Sequence, residues 1–264
     1  MSARPDAELN EEIATWPDRL DRLAEESEWV ERVVVMARTE STQDAVAHFD
    51  PMPGTVVVAG RQTGGRGQHG RTWADDLGRG LSVSIVTETE EPACLCARAA
   101  VALASAFTPL LEGLGVRAGI KWPNDLHAFS PHPRKLAGVL VEERGDHAIV
   151  GIGVNVHARA WPGELADTAG TLEESGVHLT RLEAMVLLLE AWEQAMALDK
   201  EQLRRAFIQA DLLCGKPAVF EQGGTSFEGV VKAVDPFSGV LLSTAGGEVS
   251  LRPELARLQS WGGC

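Results

Sequence analysis

Apolar residues recur along the chain in blocks whose spacing changes several times. Between Ala7 and Glu31 they are sparse, with Ile13, Trp16, Leu20 and Leu23 set among charges, a spacing that predicts one or two amphipathic helices. Val33-Val-Val-Met36 reads as a buried strand, and Ser41-Thr-Gln-Asp44 opens a short helix through Ala45, Val46 and Phe49. Thr55-Val-Val-Val-Ala59 is another apolar run of strand length, and it leads into a glycine-rich loop from Gly60 to Trp73. Leu81, Val83 and Ile85 alternate with Ser82 and Ser84, so one face of that strand packs on a core while the other stays small. Pro92 begins an alanine-rich helix directed at Gly113 and Gly115, with Pro109 as a candidate kink or early end.

The second half carries clearer periodicity. A strand-like run from Lys135 to Glu143 turns at Asp146 into Ala148-Ile-Val-Gly-Ile-Gly-Val-Asn-Val156. There Val150, Ile152, Val154 and Val156 share one face, and Gly151, Gly153 and Asn155 share the other, a surface suited to a flat ligand. Thr180 with Glu183 forms a capping box before Met185–Trp192, and Asp199 caps a helix ending near Leu212. From Gly215 the texture becomes four short β-rich pieces, Pro217–Phe220, Ser226–Lys232, Gly239–Ser243 and Glu248–Leu251, which predict a small barrel. The expected division is an N-terminal extension over 1–32, a main domain over 33–213 and an appendage over 214–264.

Composition narrows the function. With 264 residues, 44% of them hydrophobic, the chain can bury a substantial core. A formal charge of -14 argues against general attraction to nucleic acid or anionic lipid, and residues 1–32 are too few and too acidic for a DNA-reading helix-turn-helix. No apolar run approaches the roughly 20 residues of a membrane span, and Met1-Ser-Ala-Arg-Pro lacks a signal peptide's basic and apolar parts, so a cytoplasmic location is expected. Cys94, Cys96, Cys214 and Cys264 show no C-x-x-C spacing and no histidine pair stands at H-E-x-x-H spacing, so reduced thiols and no protein-bound catalytic metal are expected.

In so acidic a chain, five glycines and three arginines between Gly60 and Trp73 call for an anionic ligand, the alternative being a flexible surface loop. Glycines let backbone N–H groups approach phosphate oxygens, and Arg66 and Arg71 can add charge-assisted bonds. Neither the P-loop pattern nor the dinucleotide fingerprint is present. Lys121 and Lys135 each introduce an apolar block, where a lysine can reach a negative centre that forms during reaction.

Five blocks, Glu40-Ser-Thr-Gln-Asp44, Gln62-Thr-Gly-Gly-Arg-Gly-Gln-His-Gly-Arg-Thr-Trp73, Lys121-Trp-Pro-Asn-Asp125, Arg134-Lys-Leu-Ala-Gly138 and Gly151-Ile-Gly-Val-Asn155, together resemble the biotin protein ligases in order and spacing. The resemblance runs from Val35 to about Leu258. It implies an α/β (α+β) fold: a mixed sheet flanked by helices, related to the class II aminoacyl-tRNA synthetase core, followed by an SH3-like C-terminal barrel. The implied activity is formation of biotinyl-5'-AMP and pyrophosphate from biotin and ATP with Mg2+. Biotin then passes to a lysine of a biotin carboxyl carrier protein, by an enzyme of the catalytic-only type that a homodimer would also suit.

Residue by residue, the resemblance places Ser41, Thr42, Gln43, Gln62, Gly67, Gln68 and Gly138 around biotin. Arg66 and Lys135 serve both the biotin carboxylate and the α-phosphate. Arg71, Lys121, Asn124 and Asp125 fall beside the nucleotide, with Asn155 near the adenine. Trp73 either walls the pocket or belongs to the core. Ser41 and Thr42 can equally cap a helix, and Asp125 can accept a proton from the incoming amine or stabilise its turn. Two positions depart from the family pattern, which has Asn where this chain has Gln43 and Arg where it has Gln68. Rival readings are a lipoate or octanoate ligase, a non-catalytic biotin or adenylate sensor, and a nucleic-acid module on the terminal barrel, the last disfavoured by the net acidity.

Overall fold

The computed structural model describes residues 6–75, 78–129 and 132–262, together with every side chain in them except that of His69. Met1–Pro5 and Cys264, which entered the sequence reading, lie outside the described residues. The acidic N-terminal stretch forms two helices, α1 (Asp6–Ile13) and α2 (Pro17–Glu26), with Leu9, Ile13, Trp16, Leu20 and Leu23 all buried. Strand β1 (Arg32–Met36) and helix α3 (Thr42–Ala45) follow, then β2 (Thr55–Ala59), β3 (Gln62–Arg66), β4 (Thr72–Asp75) and β5 (Leu81–Glu88). Helix α4 (Pro92–Glu112) leads to β6 (Ala118–Lys121), β7 (Asp125–Phe129), β8 (Pro133–Arg144) and β9 (His147–Val154). After α5 (Leu165–Thr168), the helices α6 (Arg181–Met196) and α7 (Lys200–Gln209) each start with a complete capping box.

Seven strands form one mixed sheet in the order β1-β2-β5-β9-β8-β7-β6, in which β1 and β2 are parallel and all other neighbours antiparallel. The valine and isoleucine face of β9 joins the main core with α4, behind which α6 and α7 pack. The opposite face carries α3 and the β3–β4 hairpin, with a smaller cluster of Ala45, Val46, Val57, Val86 and Ile149 beneath α3. A second sheet, β13-β12-β11-β10-β14, comprises β10 (Pro217–Gln222), β11 (Thr225–Asp235), β12 (Gly239–Thr244), β13 (Gly247–Leu251) and β14 (Ala256–Trp261). It meets the first through edge-on aromatic pairs, Trp122 with Phe220 at 6.0 Å and Phe129 with Trp261 at 5.5 Å.

Several expectations change. β1 is half-buried because it is the sheet edge, with a single strand neighbour. The Gly60–Trp73 loop is a β-hairpin, since Gly65 pairs with Trp73 and Arg66 with Thr72. Pro109 does not end α4 early; the helix runs through it to Glu112, although proline lacks the N–H that would donate to the carbonyl four residues back. That helix is long and apolar enough to cross a membrane by length and composition, contrary to the reading of the bare sequence, but 72% of its apolar window is buried against protein, as in a core helix. The terminal sheet gains a fifth strand, β14, whose mixed sequence Ala-Arg-Leu-Gln-Ser-Trp gave no apolar run. Ser41 occupies the N-cap position of α3 without making a capping bond. Cys94, Cys96 and Cys214 are free thiols.

Candidate active site

The hairpin β3–β4 folds back over the sheet face that carries the glycines of β9. Its entry is fixed by Gln62, whose Oε1 accepts from the Thr42 backbone N–H at 2.8 Å and from Thr42 Oγ1 at 3.1 Å. Ser84 Oγ donates to Thr42 Oγ1 at 2.8 Å, so a polar chain runs from β5 through α3 into the hairpin. Ser41, Thr42, Gln43 and Gln62 are all buried, and a buried polar chain holds its members to one geometry. Gln43 Nε2 donates to Leu140 O at 3.2 Å, while its buried Oε1 has no partner and can still accept a bond.

The glycines do not face open space. A Cβ on Gly153 would lie 2.2 Å from the Trp73 indole, and one on Gly151 would lie 2.7 Å from Gln43 Nε2. Both protein side chains cover the strip that the sequence pattern offered to a flat ligand, because the hairpin lays Trp73 on β9. Trp73 itself is half-buried, which makes it a wall between the sheet and the hairpin. Lys135 Nζ stands 5.7 Å from the centre of its ring, within cation–π range.

Lys135 and Asp125 form the charged centre, Nζ to Oδ1 at 2.7 Å. Gly138 makes room for this crossing, since a Cβ there would lie 2.7 Å from both Cε and Nζ of Lys135. Burial pushes the Asp125 carboxyl up, but the Lys135 and Lys121 cations outweigh it and hold the group below its ordinary range and ionised. Lys121 lies at the end of β6, where burial first, and the Lys135 and Arg71 cations after it, push its ammonium down despite Asp125. His127 is buried with neither ring nitrogen hydrogen-bonded, and burial pushes it down to about 3, so it stays neutral.

Two predicted amides serve as struts. Asn124 is buried and donates to Val139 O at 2.8 Å, tying the turn with the cis Trp122-Pro123 bond to β8. Asn155 Nδ2 donates to Lys135 O at 3.2 Å, fixing the backbone from which that lysine projects.

The arginines differ. Arg66 leaves the hairpin towards α3 and β8, where it pairs with Asp44 and reaches Glu142 at 3.0 Å. Arg144 completes the group, 2.7 Å from Asp44 and 3.1 Å from Glu142. The hydrogen bonds from Arg66 and then Arg144 hold the Asp44 carboxyl below its usual range. Arg71 is exposed, just after a turn in which Gly67 N donates to Arg71 O at 2.7 Å and Arg71 N to Gln68 O at 3.3 Å. Gly67 and Gln68 are half-buried in this turn.

Sequence reasoning gave no role to Asp44, Glu142, Arg144, Ser84 or Asp75. Asp75 is buried at the foot of β4, accepting from Gly80 N and Ser82 Oγ, each at 2.9 Å, and burial pushes it up to about 6. A lone aspartate after a tryptophan carries no signal of that environment. Glu142 and Arg144, two apart on one strand, did share a face in the sequence. Nothing indicated that Asp44 would meet them. No three His, Cys, Asp or Glu side chains cluster as a metal site among the described residues.

Residues 35–155 match the model of the biotin/lipoate A/B protein ligase family. The bifunctional ligase/repressor BirA of Bacillus subtilis is 32% identical over 172 residues, covering 61% of this chain and 51% of that protein. The chain thus spans about half the length of this curated relative. The biotin--[acetyl-CoA-carboxylase] ligase of Mycobacterium tuberculosis is 29% identical over 233 residues, 80% of this chain and 83% of that protein. Among solved structures, the biotin protein ligase from Aquifex aeolicus in complex with biotin and ATP superposes with a TM-score of 0.75 at 27% identity, covering 87% of this chain and 99% of that one.

Proposed function

Because residues 35–155 match the model of the biotin/lipoate A/B protein ligase family, we propose that the chain is an ATP-dependent biotin protein ligase that works in the cytosol and modifies a lysine of a biotin carboxyl carrier protein. The observation that carries this reading is the Lys135–Asp125 pair under a hairpin bearing Arg66, Arg71 and Trp73. Residues 33–213 form the catalytic unit, with 1–32 and 214–264 as its extensions.

In the first step a biotin carboxylate oxygen attacks the α-phosphorus of ATP, forming a mixed anhydride and expelling pyrophosphate. Two anions must meet, so cations placed in advance lower the barrier more than any other device here. Lys135, released from Asp125, offsets the carboxylate and phosphate charge, and Arg66 and Arg71 add to it from the hairpin. Gln62, Thr42, Ser41 and Gln43 hold the polar end of biotin, and the unpartnered Gln43 Oε1 fits a ring N–H. Gly67 and Gln68 shape the hairpin tip over the adenylate, and Lys121, Asn124 and Asn155 set the nucleotide side. Magnesium arriving with ATP would further neutralise the phosphate charge.

In the second step the acceptor amine attacks the anhydride carbonyl, AMP departs and the nitrogen loses a proton. Asp125 is ionised and stands free once Lys135 has turned to phosphate, so it is placed to take that proton. The hairpin meanwhile excludes water from an anhydride that hydrolyses readily.

A lipoate or octanoate ligase shares this chemistry. The Trp122–Phe220 contact, which seats the Lys121–Asp125 turn on the terminal sheet, favours biotin. The test supplies a biotin carrier domain with ATP, magnesium and either biotin, lipoate or octanoate, and weighs the carrier. A single biotinyl addition is expected. A lipoyl or octanoyl addition instead assigns the rival, and bound biotin with no pyrophosphate released assigns a sensor.

A further inference from the structure

Arg181, the first residue of α6, is fully buried although its charge is permanent. Burying a guanidinium is costly, and the partners that do meet its donors are therefore worth more than surface contacts. Here Nη1 donates to Gly60 O at 2.5 Å and to Gly80 O at 3.3 Å. Those two carbonyls flank the hairpin segment: Gly60 lies between β2 and β3, and Gly80 immediately before β5. Two residues of the N-terminal extension hold its other side, while Nη2 has no hydrogen-bond partner. Glu12 Oε1 accepts from Arg181 Nε at 2.9 Å, and the buried Trp16 ring lies 5.1 Å from the guanidinium. Close packing adds to this grip. A Cβ on Gly60 would lie 2.6 Å from Ile13 Cγ1, and Asp6 pairs with Arg61 at 2.9 Å.

We infer that the N-terminal helices are a brace for the active-site hairpin, with Glu12 and Trp16 as positioning residues that act through Arg181 on Gly60 and Gly80. This rests on the ligase reading for its catalytic consequence, but not for the mechanical one. A single guanidinium joins both ends of the hairpin segment, so the extension sets the angle at which β3–β4 leaves the sheet. Glu12 fixes that guanidinium because the pair is buried on the arginine side, where a lost partner strands a charge. The hairpin tip is far from Glu12 in sequence. Its position over Gly153 nevertheless depends on where its roots are held. The extension also adds Leu9, Ile13, Trp16, Leu20 and Leu23 to the main core, which fixes the helices that hold Glu12.

The test compares wild type, Glu12→Ala, Glu12→Gln and the exposed control Glu25→Gln on α2. Amide hydrogen exchange is read over Gln62–Asp75, with β8 and α4 as references. Loss of one charged hydrogen bond at the roots should speed exchange in the hairpin about tenfold in Glu12→Ala, with the references unchanged. Glu12→Gln, which keeps an acceptor, should fall between Glu12→Ala and wild type, and Glu25→Gln should match wild type. In adenylation assays Glu12→Ala should raise the KM for biotin about fivefold while kcat changes less than about twofold, the mark of a misplaced lid rather than damaged chemistry. Uniform acceleration of exchange throughout the protein, or no change in the hairpin, would overturn the brace. If wild type makes no adenylate, the ligase reading falls, and the hairpin-to-reference exchange ratio still decides the brace.

Discussion

Arg66 and Asp44 face each other across the gap between the hairpin and α3, and Glu142 on β8 closes on the same guanidinium from 3.0 Å. The arginine assigned to the phosphate is thus held by two carboxylates in the absence of one, and every hydrogen bond it makes to them must be exchanged for one to the nucleotide. The bonds to Asp44, then to Glu142, raise the Arg66 pKa further above its usual value.

Neutralising that hold should favour the ligand-bound position. The group is partly exposed, so its contribution is small, about 1 kcal/mol or less for the pair. The Asp44→Asn, Glu142→Gln double variant should lower the apparent KM for ATP by about two- to fivefold at low salt, with the difference shrinking as salt screens the wild-type pairs. Steady-state pyrophosphate release at two ionic strengths measures this, and an unchanged KM at low salt would count against the exchange.

Lys135→Ala should depress adenylate formation by about 100-fold or more, the loss seen when one placed donor is removed from a developing charge. The side chain is one-third exposed and packs no core, so thermal unfolding should change little. Asp125, without its main counter-charge, should titrate higher in the variant, which NMR of the labelled carboxyl can follow. Near-normal turnover would remove Lys135 from its role.

Gln68 replaces a permanent cation beside the expected adenylate with a neutral amide. Gln68→Arg should therefore slow release of biotinyl-5'-AMP, by about tenfold if one charged hydrogen bond is gained. Single-turnover trapping of the released adenylate measures it, and equal release rates in the two proteins would dispose of the idea.

Asp75 makes stability depend on pH. Its folded value of about 6 lies above the ordinary 3.8, so the folded protein holds this proton more tightly than the unfolded chain. The resulting stabilisation is complete below about 3.8 and is lost as pH rises through about 6, on the order of 2–3 kcal/mol in all. Asp75→Asn, which can still accept from Gly80 N, should abolish that component. Denaturant midpoints at pH 5 and pH 7.5 should differ less in the variant than in wild type; equal differences would refute the assignment.

Much of the sheet was legible from local pattern. The apolar alternation of β5 and β9, the Thr180 and Asp199 capping boxes and the shift in texture near Gly215 all correspond to observed elements. Their signals are local, because period and capping depend on neighbours within one turn or one pleat. The hairpin was misread as a loop because glycine and arginine have little strand propensity, and its pairing is imposed by folding back on the sheet. β14 was missed for a related reason: its partner strand, not its own sequence, defines it.

By itself the sequence singled out the candidate side chains, since glycines, arginines and lysines in five ordered blocks name their own capabilities. It did not determine what those side chains do before a ligand comes. Tertiary structure decided that Lys135 rests on Asp125, that Arg66 is held by Asp44 and Glu142, that Trp73 lies on Gly153, and that Arg181 grips both roots of the hairpin from beneath Glu12 and Trp16. Each of these joins residues far apart in the chain. Charge and close packing act over a few ångströms of space, and only the folded backbone sets which residues come within that range.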